Sequence, residues 1–298
     1  MPGCHAQAMT APIPHLPSAP LGTGDLAAEI TAQLSTQLCR VRLRGFHPPE
    51  APGPTLVAVA HGSRDPRALP TVRALLDRVR ALRPGLAVRL GHIELNRPLL
   101  ADTLAELRGE AVLVPLLFGH GHHVTHDLPA ALAGAPQLTG RVAAPLGPHR
   151  LLAEALHGRL LEAGFPGAPS PRTAVVLAAA GSRAPRSARD TERTAQLLSA
   201  RLGGTPVLPA YASAAAPTVA DAVRTLTARG HDRIAVASCF TAPGRFATQC
   251  ADAAPGTAAA PLGDHPALAR LVLHRYDQAL LARTGSDPAS VRAATVAV

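Results

Sequence analysis

The sequence predicts an α/β protein with two tandem doubly wound parallel-sheet domains, related by internal duplication and preceded by an N-terminal extension. Short apolar segments alternate with segments of helical periodicity, which is typical of parallel sheets covered by helices on both faces. The chain also repeats itself, because residues 55–67 (TLVAVAHGSRDPR) are matched by residues 174–186 (AVVLAAAGSRAPR). The ends of the repeats match too, with APLGPH at 144–149 and APLGDH at 260–265.

Two proline-rich stretches set the predicted domain boundaries. Residues 47–54 (HPPEAPGP) and 164–172 (GFPGAPSPR) are poor candidates for regular structure and are predicted linkers. They divide the 298 residues into an extension, 1–52, and two domains, 53–165 and 166–298.

The N-terminal extension carries little readable structure. Repeated proline and small residues predict disorder over 1–22, and 25–40 (DLAAEITAQLSTQLCR) predicts one amphipathic helix. The start of the chain lacks the apolar core of a signal peptide. Few cysteines, none of them in a C-x-x-C motif, favour a reducing compartment, so a cytoplasmic location is expected.

Periodicity predicts the elements of the first domain in order. One helical face, for example, carries Leu75, Leu76, Val79 and Leu82. A tight turn is predicted over 62–66. The predicted strands are Leu56–Ala60, Leu86–Ile93, Ala111–Leu117 and Val142–Leu146, and the predicted helices are 69–82, 98–108, 126–133 and 149–163.

The second domain is predicted to follow the same order. Its predicted strands are 174–180, 206–211, 233–239 and a fourth near 258–262, with helices over 188–202, 217–229 and 266–282. Each domain would then hold a four-stranded sheet. Ligands of such sheets bind beyond the carboxyl ends of the strands.

The charge of the chain points to an anionic partner. The net charge is +9, and all 29 basic residues are arginine. Aromatic residues make up only 2% of the sequence, so the stacking platforms of nucleic-acid-binding proteins are nearly absent. Nucleic acid is therefore disfavoured as the partner.

His61 is the first candidate for chemistry. It ends the first predicted strand and opens the Gly-Ser-Arg turn. The matching position of the second copy is Ala180, which keeps the turn without the imidazole. The turn therefore does not require histidine, and metal binding is the interpretation favoured over a merely structural role.

A second histidine segment follows the third predicted strand. Residues 118–127 (FGHGHHVTHD) contain His120, His122, His123 and His126. His123, which aligns with Phe246, is the strongest candidate ligand, and the others either assist metal entry or form an exposed polar loop.

Glu94 completes the candidate set at the end of the second strand. Its counterpart is Ser213, so it is lost from the second copy along with both histidines. Two histidines and one carboxylate would form an incomplete metal shell, open to water or substrate. The alternative is a simply exposed glutamate.

Arginines near the strand ends are candidate binders of carboxylate groups, since the forked guanidinium suits them. The alternative is a generally arginine-rich surface. The predicted substrate-binding residues are Ser63, Arg64, Arg97, Arg183 and Arg245.

These residues resemble the class II tetrapyrrole chelatases, and specifically the sirohydrochlorin chelatase family in its long duplicated form. The resemblance rests on the HGSR-D-P run His61–Pro66, on Glu94 ahead of Pro98, and on Pro115–Pro129, where His123, Val124, Asp127 and Pro129 are in register. One departure is His126, at a position often acidic in the family.

The resemblance implies a fold, a reaction and a set of roles. His61 and His123 would bind Fe²⁺ or Co²⁺ as the substrate metal, and sirohydrochlorin would lie in the cleft between the domains. Glu94 would remove pyrrole protons or orient the ring. Neither an organic cofactor nor ATP would be needed.

Two other functions fit parts of the sequence. A non-catalytic metal-binding or metal-delivery protein would use the histidines of 118–126. A histidine phosphatase is disfavoured, because Ala60 stands where those enzymes place an arginine.

Overall fold

The computed structural model describes residues 53–167 and 170–284, which are named the first half and the second half. The two halves belong to one compact unit. The predictions for 1–22, for 25–40 and for most of the 47–54 linker lie outside the described residues.

The first half holds a parallel four-stranded sheet with helices on both faces, and the strand order is β2-β1-β3-β4. Its elements are β1 (Thr55–Ala60), α1 (Ala68–Leu82), β2 (Val88–His92), α2 (Leu100–Glu106), β3 (Gly109–Pro115), a π-helical turn (His123–Asp127) that continues into α3 (Leu128–Ala133), β4 (Leu138–Val142) and α4 (Arg150–Glu162).

The fourth strand was predicted four residues too late. Residues 138–142 (LTGRV) carry few apolar side chains, because β4 is an edge strand that pairs with β3 alone. The predicted segment 142–146 continues beside the sheet, with hydrogen bonds from Ala143 N to Leu113 O and from Leu146 N to Leu117 O.

The second half repeats this order with one strand fewer, and its sheet has the order β6-β5-β7. The elements are β5 (Thr173–Ala179), α5 (Pro185–Arg201), β6 (Val207–Tyr211), α6 (Val219–Ala228), β7 (Arg233–Ser238), α7 (Arg245–Asp252) and α8 (Pro266–Thr284). Helix α7 was missed in the sequence, although it matches the turn at His123 in the first half.

The predicted strand near 258–262 is wrong. That segment forms only an isolated bridge between Ala258 and Val236. Pro255 and Gly256 precede this segment and Pro261 lies within it, so strand pairing is limited by residues that disfavour it.

The two halves exchange their last helices. Helix α4 packs on β7 of the second half, and α8 packs on β3 of the first half. A single core runs through both, including the fully buried Leu56, Leu177 and Leu268. In α8, Tyr276 donates a 2.5 Å hydrogen bond to Pro54 O at the start of the first half. Neither sheet is therefore covered by its own half alone.

Candidate functional site

The carboxyl ends of both sheets open into one cavity of about 1020 Å³, which is named the cleft. Its walls come from the loops after β1, β2 and β3 and from the matching loops after β5, β6 and β7. This volume is at the upper end of the range of small-molecule pockets, so the cleft accommodates a large ligand.

His61 is held at the cleft by the tight turn after β1, which is hydrogen-bonded to the loop after β2. Glu94 N donates to His61 O over 3.0 Å, and Gly62 has φ +106°. A Cβ on Gly62 would lie 1.9 Å from Glu94 O, so glycine is required for this close approach. As a result the Glu94 carboxylate lies 3.5 Å from His61 Nδ1.

Asn96 adds a further tie that the sequence analysis missed. Its Oδ1 accepts a 2.6 Å hydrogen bond from Ser63 N, so the loop after β2 holds the Gly-Ser-Arg turn in place. Asn96 lies in the segment that contains Glu94, but an amide whose partner is a backbone N–H has no sequence signature.

His123 lies beside His61, as the two-ligand hypothesis requires. The ring centroids are 4.9 Å apart and the rings meet edge to face at 81°. His123 Nδ1 is 2.6 Å from Asp127 Oδ2, which leaves Nε2 free of that contact. The side chains of His61 and His123 are 43% and 36% exposed, so a cation arriving through the cleft can reach both.

The candidate metal centre is a pair of imidazoles and not a complete shell. Among the described residues, no group of three or more His, Cys, Asp and Glu side chains has a metal-binding arrangement. Glu94 approaches His61 only, at 3.5 Å. Two imidazoles alone leave most coordination positions to water or to a second ligand.

The remaining loop histidines have other partners. His120 Nδ1 is 2.7 Å from Asp190 Oδ2 on α5, and both side chains are largely buried. This pair joins the two halves, and His120 does not line the cleft. His122 and His126 stack on each other at 4.5 Å, and neither lines the cleft.

The second half presents a wall of the same backbone without the ligands. Ser213 N donates to Ala180 O over 3.0 Å, which repeats the Glu94–His61 hydrogen bond. Gly181 has φ +90°, and its Cβ would also lie 1.9 Å from a carbonyl, that of Ser213. Ala180, Ser213 and Phe246 line the cleft at the positions of the three candidate residues.

The predicted substrate-binding residues divide into two groups. Ser63, Arg64 and Arg245 line the cleft, and no carboxylate of the described residues pairs with either arginine. Arg245 instead lies over the ring of Phe246, 5.4 Å from its centroid. Arg97 pairs with Asp102 at 2.7 Å, and Arg183 is exposed; neither lines the cleft.

His92 is a cleft residue that the sequence analysis missed. It ends β2, is 2% exposed, and its Nδ1 is 3.1 Å from Pro98 O. Burial lowers the pKa of its imidazole, so the ring is held neutral at physiological pH. Its place near the end of a predicted strand was the one signal that could have identified it.

None of the described helices combines the length and apolar character needed to span a membrane.

Comparisons with known proteins agree with this architecture. The family model described as CbiX matches twice, at residues 55–163 and 174–279. A sirohydrochlorin cobaltochelatase of Methanococcoides burtonii is 28% identical over 123 residues, which cover 36% of this chain and 94% of the relative. The sirohydrochlorin cobaltochelatase of Methanosarcina acetivorans is 28% identical over the same length and share of this chain, and 95% of it is covered.

Solved structures have the same fold. SirB from Bacillus subtilis with Fe³⁺ is similar with a TM-score of 0.61 and 19% identity, over 78% of this chain and 97% of that one. CbiX, described as the terminal enzyme for biosynthesis of sirohaem in denitrifying bacteria, is similar with a TM-score of 0.59 and 23% identity, over 76% of this chain and 99% of that one. The two matches of the family model span most of the described residues, and the chain therefore belongs to the CbiX family, with two copies of its domain.

Proposed function

We propose that this protein is a sirohydrochlorin chelatase, which inserts Fe²⁺ or Co²⁺ into sirohydrochlorin without ATP or an organic cofactor. The observation that carries the proposal is the pair of imidazoles, His61 and His123, 4.9 Å apart in a cleft large enough for a macrocycle. The family relatives named as sirohydrochlorin cobaltochelatases support the same reaction.

The metal is a substrate, so it has to be held weakly enough to leave. Two neutral imidazoles are suitable ligands for Fe²⁺ and Co²⁺, which are both borderline ions. A full cage of four protein ligands would bind the ion as a structural site does. The His61–His123 pair supplies half of such a set, and the macrocycle nitrogens can displace the water ligands and then the imidazoles.

Insertion exchanges two pyrrole protons for one dication, so a base is needed on the metal side of the ring. Glu94 is the proposed base. Its carboxylate is 3.5 Å from His61 Nδ1 and 53% exposed, so it can pass protons on to solvent. The exchange of two protons for M²⁺ conserves charge.

The cleft orients the macrocycle over the metal. Arg64 on the first half and Arg245 on the second lie at the cleft with no carboxylate partner among the described residues, and they are proposed to bind peripheral carboxylates of the ring. Holding the ring against a bound cation converts a bimolecular encounter into an oriented one. Ser63 is proposed to assist at the same wall.

The cytoplasm is the proposed location. Cys239 and Cys250 are buried free thiols, and Fe²⁺ persists best under reducing conditions.

An anaerobic insertion assay tests the proposal. Purified protein is mixed with sirohydrochlorin and either Co²⁺ or Fe²⁺, and the change in visible absorption is followed. Wild type is expected to accelerate insertion over the uncatalysed rate, whereas His61→Ala and His123→Ala lose at least about 100-fold, because each removes one of two ligands.

His231→Ala is the matched control, because His231 is half-buried outside the cleft lining and its Nδ1 contacts Pro171 O. It should retain full activity. A wild type that binds Co²⁺ but does not accelerate insertion would instead identify a metal-delivery protein. Full activity in either cleft variant would remove that histidine from the mechanism.

A further inference from the structure

The carboxylate of Asp127 lies between two imidazoles at the edge of the cleft. Its Oδ2 is 2.6 Å from His123 Nδ1, and its Oδ1 is 3.5 Å from His122 Nε2. Asp127 is 39% exposed and does not line the cleft, so it is not placed to contact a macrocycle in the cleft. Its short contact is with the candidate ligand.

We propose that Asp127 is the positioning residue of His123: it fixes the imidazole with its proton on Nδ1, so that the lone pair on Nε2 is presented to the cation. This inference rests on the proposed function of His123 as a metal ligand. A carboxylate accepts hydrogen bonds and cannot donate when ionised, so at 2.6 Å the imidazole nitrogen has to carry the proton. Such a partner fixes the orientation and the tautomer of a ligating ring.

The local backbone supplies the geometry. His123 and Asp127 are the first and last residues of the π-helical turn, which is closed by the hydrogen bond from Leu128 N to His123 O. Both side chains therefore project from one turn of helix. Insertions of this type within α-helices are frequent at functional sites.

Within 53–167 and 170–284, His61 has no carboxylate partner as close as Asp127 is to His123. Its Nδ1 is 3.5 Å from Glu94 Oε1 and 3.4 Å from Gly62 O, and both distances are long for a hydrogen bond. The two ligands therefore differ: the ring of His123 is held in one orientation and that of His61 is not.

The tautomer is the most direct test, and it needs neither metal nor macrocycle. Two-bond ¹H–¹⁵N NMR of the imidazoles distinguishes protonation at Nδ1 from protonation at Nε2, and the His123 signals are those missing from His123→Ala. At neutral pH, wild type should show the Nδ1–H form of His123, and Asp127→Ala should lose it. A wild-type His123 protonated at Nε2 overturns the inference, whatever the activity of the protein.

Metal affinity is the second test, with Co²⁺ alone as the probe. Asp127→Ala should weaken Co²⁺ binding by about 10- to 100-fold and lower kcat for insertion, while KM for sirohydrochlorin stays within about twofold. Asp127→Asn should lose less, because its amide oxygen still accepts from Nδ1–H. Affinity and kcat within twofold of wild type in both variants would overturn the role of Asp127.

Two controls separate positioning from folding. Asp77→Ala removes an exposed carboxylate that is paired with Arg80 on α1 and does not line the cleft, and it should leave both Co²⁺ affinity and kcat unchanged. His122→Ala removes the other partner of Asp127 and should leave the tautomer of His123 unchanged. A wild type that binds Co²⁺ and shows the Nδ1–H tautomer, but inserts no metal, would contradict the proposed function and leave the positioning of His123 intact.

Discussion

Alanine at Gly62 and alanine at Gly181 form a matched pair of perturbations, because the duplication repeats the same backbone contact. Each glycine has a positive φ, +106° at Gly62 and +90° at Gly181. In each case an added Cβ would lie 1.9 Å from a carbonyl oxygen, that of Glu94 or that of Ser213. The two substitutions therefore create the same steric clash and the same backbone strain, but only Gly62→Ala displaces candidate ligands.

The expected magnitudes follow from these distances. Real Cβ contacts stay beyond 3.0 Å, so the loop after β2 has to move by at least about 1 Å in Gly62→Ala. The disfavoured backbone conformation costs about 1–3 kcal/mol in either variant. For a protein of this size that corresponds to a decrease in Tm of roughly 2–10 °C. A shift of about 1 Å in a reacting group can lower kcat about 100-fold.

Thermal unfolding and the anaerobic insertion assay together read out this difference. Both variants should lose similar stability, but Gly62→Ala should lose about 100-fold in kcat, since His61 and Glu94 move. Gly181→Ala should change kcat by no more than a few fold and act mainly on KM for the macrocycle. Equal losses of kcat in the two variants, at temperatures where both are folded, would refute the assignment of chemistry to the first half.

Three further predictions concern single side chains. Glu94→Gln should lower kcat for insertion by about 10- to 100-fold while Co²⁺ affinity, measured by titration, changes little, because Glu94 acts as the base; an unchanged kcat would show that it is a bystander. Arg64→Ala and Arg245→Ala should each raise KM for sirohydrochlorin, whereas Arg183→Ala should not, because Arg183 lies outside the cleft lining. A larger KM for Arg183→Ala than for the other two variants in steady-state kinetics would show that the macrocycle carboxylates bind elsewhere. Asp190→Ala should cost about 1.5–3 kcal/mol in urea unfolding, because it removes the partner of the largely buried His120; a loss below about 0.5 kcal/mol, the usual surface effect, would count against that pair as a tie between the halves.

The sequence was sufficient for the order of elements in the first half and for most of it in the second, and it identified the candidate ligands. It did not reveal α7, the absence of a strand near 258–262 or how the halves combine. Apolar strands such as Thr55–Ala60 and Thr173–Ala179 are buried on both faces, so their composition identifies them without any partner. The exchange of α4 and α8 leaves no comparable signal, because a buried helix has the same pattern whichever sheet covers it. The fourth strand of the second half was predicted from the repeat. Pro255 and Pro261 interrupt that segment, and the comparison of the two copies gave them no weight.

The candidate site shows the same division. His61, Glu94 and His123 stood out because the second copy replaces each of them, so the duplication acted as an internal comparison. Asp127 could not be assigned a role in this way, because its effect is exerted through the ring of His123 and depends on the distance between them. The arginines were harder still: the chain has 29 basic residues, and only the fold separates those at the cleft from those at the surface.

The loss of ligands from the second half has a physical reason under the proposed function. A macrocycle in the cleft has two faces, and insertion needs a cation on one of them only. A second imidazole pair at Ala180 and Phe246 would recruit a second dication to the opposite wall. Two dications on opposite walls of one cleft would repel each other, which would oppose loading of the first. The second half cannot be dispensed with, however, because α8 covers the sheet of the first half and α4 covers that of the second. A duplicated protein with interlocked halves can therefore do without the metal ligands of one half but not without its fold. The cleft surface of the second half is then available to bind the macrocycle.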